Sequence, residues 1–226
     1  MDQDALEIRQ LTENWALWRD AGRWDRFATV WHPTDGYMNA TWFHGPAPDF
    51  IEASRQGFEQ GVAISHFLGG HTSDIEGDRA VAETKTTITQ RSVIDGVTVE
   101  VVCTGRFYDF LARFEGAWKL VRRQPVYESD RLHVLEPGAS LELAPELLDR
   151  FPVGYRHLAY VQAKAGFEVA DGLPGLRGEA VEELYRLGEA WLRGAASPFP
   201  GGTEERRTEH DGTPRAPSKS RTRCGR

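Results

Sequence analysis

The run VTVEVVCTGRFYDFLARFEGAWKLVRRQPVY, residues 97–127, decides how the chain folds. Residues 97–113 and 117–127 are rich in β-branched and aromatic side chains that suit a half-buried strand. Phe114-Glu115-Gly116 between them has room only for a turn, so the two strands are antiparallel neighbours. Working back, RAVAETKTTITQ (79–90) has the same character and meets the first of them through Ile94-Asp95-Gly96. Glu76-Gly77-Asp78 marks another turn, which joins it to the stretch SHFLGGHTSD (65–74). With YMNATWF (37–43), five or so strands are predicted.

Ahead of the strands the apolar period is helical. Ile8, Leu11, Trp15 and Trp18 share one helix face, with Gly22 as its stop. Trp24, Phe27, Ala28 and Trp31 line a short second helix that ends before Pro33. A third, from Asp49 to about Gln60, carries Phe50, Ile51 and Phe58, with Gly61 just past its end. Three helices against a strongly curved antiparallel sheet make an α+β plan, predicted for residues 1–130. Residues 131–196 form a helical extension built from APELLDRFP, GYRHLAYVQAKAG and GEAVEELYRLGEAWLRG. Its stripe of Val181, Leu184, Tyr185, Gly188 and Leu192 must be buried on the sheet or on a second copy of the chain. Residues 197–226, rich in Pro, Gly, Ser and mixed charge, read as a disordered tail.

The 226 residues suffice for a real core, and a net charge of −7 argues against nucleic acid as partner. No apolar run is long enough to span a bilayer, and MDQDALEIRQ lacks the plan of a signal peptide, so the chain reads as cytoplasmic with no membrane partner. Cys103 and Cys224 make no disulfide framework. His32, His44, His66 and His71 lack metal-ligand spacing, so no metal is expected. Phosphate loops and the Gly-x-Ser-x-Gly elbow are missing too.

Two places invite chemistry. On a regular strand His66 and His71 would face opposite ways, because their separation is odd; Gly69-Gly70 between them marks a bulge or bend. One histidine inward and one outward is the expectation, and periodicity leaves open which. Asp20 stands at the C-terminal end of the first helix, where the dipole disfavours a carboxylate by about 0.3–1 kcal/mol. Turned inward, it would need a partner, and His66 or a nearby arginine qualifies.

WRDAGRWDRFATVWHP (18–33), followed about forty residues after Asp20 by SHFLGGH and then by strands ending in GAWKLVRRQP (116–125), resembles the NTF2-like superfamily. The nearest branch is the SnoaL-like and scytalone dehydratase-like one, over residues 4–127. The resemblance implies a cone-shaped sheet round a deep pocket, with His66 and Asp20 as a catalytic dyad; His71 is read as an outward residue rather than a catalyst. Where scytalone dehydratase has a second histidine this chain has Gln90, and where it has two carbonyl-polarising tyrosines the matched positions are Arg19 and Asn39. Arg106 and Tyr108, which share a strand face, are candidate replacements, and Trp42 is among the aromatics expected at the pocket. The implied function is a cofactor-independent lyase or isomerase for a small apolar carbonyl- or hydroxyl-bearing molecule, in a homo-oligomer. A non-catalytic ligand-binding protein, and the small subunit of a ring-hydroxylating oxygenase, are the alternatives.

Overall fold

The computed structural model describes residues 3–196; the tail expected over 197–226 lies outside them. Three helices form where the 3.6-residue period places them: α1 (Gln3–Asp20), α2 (Trp24–Ala28) and α3 (Ala47–Glu59). The single strand expected over 37–43 is instead a hairpin of β1 (Tyr37–Asn39) and β2 (His44–Pro46). The Ala40 N–H donates to the Phe43 carbonyl at 2.7 Å, turning the chain there.

The strands β3 (Ala63–Glu76), β4 (Arg79–Ile94), β5 (Val97–Phe114) and β6 (Ala117–Val134) follow as a meander. Asp95 and Glu115 take positive φ before Gly96 and Gly116, the conformation that two-residue hairpin turns demand. The six-stranded order is β2-β1-β6-β5-β4-β3. The sheet departs from an all-antiparallel plan at one pair, since β1 runs parallel to β6, with Tyr37 opposite Arg122. A short turn compels antiparallel pairing; β1 and β6 are joined through the rest of the domain, so no turn dictates their direction. The boundary expected at residue 130 falls inside β6, which runs on to Val134.

Side-chain alternation gives the sheet two different faces. On β5, Phe107 and Leu111 point to the inner face, into a cluster with Ile8, Trp15, Phe27 and Phe50 from α1–α3. Tyr108 and Phe110 point to the outer face. Bulges at Leu68/His71, Thr104/Gly105 and Phe110/Leu111 bend the strands and curve the sheet round the helices. At Gly105 a Cβ would collide with the Val126 carbonyl oxygen, so only glycine permits this crossing.

The extension adds α4 (Pro145–Leu148), α5 (Arg156–Lys164) and α6 (Glu179–Leu192). Leu158 and Ala159 of α5 join Val99, Val101, Cys103 and Tyr127 on the inner side of the sheet. Val181, Leu184 and Trp191 of α6 cover Val81, Tyr108, Phe110 and Val126 on the outer side, so the predicted stripe is buried on the sheet of its own chain. Among the described residues no helix is long and apolar enough to cross a membrane.

Candidate functional site

Asp20, the last residue of α1, turns toward β3. Its Oδ1 lies 2.8 Å from His66 Nδ1 and its Oδ2 accepts the His66 main-chain N–H at 2.6 Å. Hydrogen bonds to an ionised group contribute about 1.5–3 kcal/mol each, more than the dipole penalty at a helix C-terminus. Burial raises the Asp20 carboxyl, but the His66 ring hydrogen bond, the charges of His66 and Arg19 and the His66 N–H together bring it below its ordinary range. Burial lowers the His66 imidazole; Asp20 opposes the shift, while Arg19 and Arg123 add to it. The pair is therefore a carboxylate and a neutral ring whose Nδ1–H donates to it, leaving Nε2 as the free basic nitrogen.

The ring is wedged among aromatics, edge-on to Trp15 at 5.3 Å between centroids and 6.0 Å from Phe107. Arg123 lies over the same two rings, 4.2 and 4.1 Å from their centroids. It is bonded through Nε and Nη2 to the Asp109 carboxylate at 2.8 and 2.6 Å, and neither side chain is exposed. Asp109 and Arg123 are direct cross-strand partners, so the sheet register itself makes this pair.

His66 lines a hollow on the inner face. Trp15 and Phe50 wall it from the helices, Ile88 and Phe107 from the sheet, and Leu158 from α5. A second space, bounded by Phe58, Val62 and Phe167, adjoins it and shares Arg19, Trp42, Ile64, Gln90 and Gln162. The walls are mainly apolar, with a few polar groups among them, the usual make-up of a small-molecule site. Among the described residues no three or more His, Cys, Asp or Glu side chains are grouped to hold a metal ion.

Arg19, Gln90 and Trp42 thus stand at the cavity with His66, while Asp20 sits behind the imidazole. Three other expected ligand residues do not. Arg106 faces outward, 3.1 Å from Glu128 and 3.4 Å from Glu83. Tyr108 is buried beneath α6, against Tyr185 and close to Gly188. Alternation correctly puts these two on one face, but that face is the outer one. Asn39 lies between Met38 and Ala40, which line the hollow; it points the other way and donates to Gln124 Oε1.

The expectation of one histidine in and one out is also corrected. Gly69 and Gly70 together oppose Lys85, which shifts the side-chain phase by one and brings His71 to the same inner side as His66. His71 Nδ1 is 2.8 Å from Thr84 Oγ1, and the ring is not part of the cavity wall. His32 sits in a turn beside Thr34 and Asp35, and His44 opens β2. Thr41, Leu158, Gln162 and Phe167 line the cavity spaces without having been singled out in the sequence. The available signal was a glutamine one helical turn after Leu158, on the apolar face of GYRHLAYVQAKAG.

The model of the SnoaL-like domain matches residues 3–124. The chain is 34% identical over 202 residues to pea pathogenicity protein 2 of Fusarium vanettenii, covering 84% of this chain and 86% of the relative. A PEP2-like protein of the same fungus is 36% identical over 204 residues, again covering 84% and 86%. Among solved structures, a hexachlorocyclohexane dehydrochlorinase (LinA type 2) superposes with a TM-score of 0.48 at 13% identity, over 62% of this chain and 92% of that one. With more than half of its length matched by the domain model, the chain belongs to the SnoaL-like family of the NTF2-like superfamily.

Proposed function

We propose that the protein is a cofactor-independent lyase or isomerase that removes a proton from carbon in a small, largely apolar carbonyl- or hydroxyl-bearing molecule. The observation that carries this reading is the Asp20–His66 pair, with a basic nitrogen left free on a ring that lines an apolar hollow. His66 Nε2 takes a proton from a carbon next to the ligand carbonyl. The C–H bond breaks, and its electron pair passes into an enolate or expels a leaving group from the neighbouring carbon. Asp20 holds the tautomer and balances the imidazolium that forms. Arg19 and Gln90 stand within the same wall to meet the oxygen on which charge develops.

The test begins with a thermal-shift screen of polyketide-like, steroid-like and terpenoid compounds, followed by proton–deuterium exchange on each binder. The unmodified protein should exchange a carbon-bound proton. His66→Ala and Asp20→Asn should each slow exchange by about 10²–10⁴-fold with circular dichroism unchanged and the melting temperature within a few degrees. Full exchange in either variant contradicts the mechanism, and tight binding without exchange in the unmodified protein points to a carrier.

The same proposal includes a cytoplasmic homo-oligomer. Phe67, 75% exposed, and Val93 lie on outward positions of β3 and β4 that α6 leaves uncovered, an apolar surface suited to a second copy. Sedimentation equilibrium showing a monomer at every concentration would dismiss that part.

A further inference from the structure

Gln162 is 4% exposed, yet its Oε1 has no hydrogen-bond partner among the described residues. Arg19 is 9% exposed, and its Nε is likewise buried without a partner while Nη1 contacts Asp20 at 3.3 Å. Both side chains line the inner hollow and the adjoining space. A buried polar atom left unmet is unfavourable, and a leucine at position 162 would satisfy the apolar face of α5 better. The two unmet atoms have opposite sense. Gln162 Oε1 accepts a hydrogen bond and Arg19 Nε–H donates one. The wall they share also holds Trp42, Ile64 and Gln90.

Gln162 is also held in place. The Asp130 carboxylate accepts the N–H groups of His157 and Leu158 at 2.6 and 2.8 Å, and its other oxygen lies 2.8 Å from His157 Nδ1. That fixes the first turn of α5 on β6. The Tyr155 hydroxyl donates to the Ala170 carbonyl at 3.0 Å, and the Tyr160 hydroxyl accepts the Ala144 N–H at 3.1 Å. Leu158 and Gln162, four residues apart, then face the cavity together. A side chain presented so rigidly suits recognition.

We infer that Gln162 is a specificity-determining residue: its Oε1 accepts a hydrogen bond from a ligand hydroxyl while Arg19 meets a carbonyl oxygen of the same molecule. The ligand is then a hydroxylated ketone with an apolar body, and the hydroxyl preference is set by the helical extension, which lies beyond the matched SnoaL-like residues 3–124. This rests on the reading of the cavity as the ligand site, and it concerns binding rather than proton transfer.

The experiment is calorimetric titration of the full chain with two matched pairs of probes: 4-hydroxyacetophenone against 4-methoxyacetophenone, and 6-hydroxy-2-acetonaphthone against its methyl ether. The methyl ether keeps the carbonyl and the ring but removes the donor. The unmodified protein should bind the hydroxy ketone of at least one pair about tenfold more tightly. Gln162→Leu should bring that ratio close to one by weakening the hydroxy ketone, and Gln162→Glu, which keeps an acceptor, should preserve it. If Gln162→Leu does not fold, Gln162→Met serves in its place. A ratio unchanged in the apolar variant, equal affinities within both pairs, or no binding by any probe overturns the inference. His66→Ala should keep the ratio. Lost exchange with a kept preference supports both proposals, and a kept preference without exchange in the unmodified protein sinks only the mechanism.

Discussion

At His66 two opposing influences act on one ring. Burial favours the neutral form and Asp20 favours the charged one; burial prevails, so the imidazole protonates below its ordinary value of about 6.5. Under the proposed mechanism the free base is the active form. The kcat/KM of any substrate found should therefore be flat near neutrality and fall on acidification through a pKa below 6.5. Asp20→Asn removes the influence that raises this pKa, so its residual activity should show the acid limb displaced to still lower pH. A limb displaced upward would contradict the assignment. The same shift bears on stability. Because the folded-state value lies below the unfolded one, the unfolded chain takes up more protons as pH falls, and stability is lost progressively from about pH 6.5 downward. Urea midpoints at pH 7.5 and 5.5 should differ in that direction, and His66→Gln should reduce the difference.

At the scale of the elements, the irregularities of the strands do as much as their regular parts. The Gly69–Gly70 bulge turns His71 inward beside Thr84. The bulge at Thr104/Gly105 lets β5 and β6 approach closely where Pro125 and Tyr127 must reach the cavity wall. Gly105→Ala would place a methyl group against backbone, which cannot rotate away as a side chain can. Its expected cost is about 3 kcal/mol, the upper end of overpacking penalties, read from the urea midpoint of a protein with an unchanged denaturant slope. A loss below about 0.5 kcal/mol would mean that the strands part easily at this point. By contrast, Gly188 faces the tip of Tyr108, a side chain with some freedom to yield.

Over the whole molecule, the site is completed by segments distant in the chain: α1, the β1–β2 hairpin, the sheet and α5. Asp130 ties the last of these to β6. Asp130→Ala should cost about 1–2 kcal/mol, as loss of a helix cap does. It should also speed hydrogen exchange along residues 158–164 while β4 and β5 keep their protection. Equal acceleration everywhere would show that α5 does not open separately from the sheet. The local rules reach a definite depth. The helices of the first sixty residues, the long strands and the Asp95-Gly96 and Glu115-Gly116 turns were legible because periodicity and turn chemistry act between near neighbours. For Asp20, charge balance offered His66 or an arginine as partner and a family resemblance singled out His66, but the contact of these residues, 46 apart, is a fact of the fold. Alternation showed that Arg106 and Tyr108 share a face, but which face is inner depends on where α1 and α6 settle. Likewise the direction of β1, the side taken by His71 and the place of Gln162 at the cavity were decided by tertiary structure. Each depends on a partner far along the sequence, and a chain read residue by residue specifies its periods without specifying what covers each face.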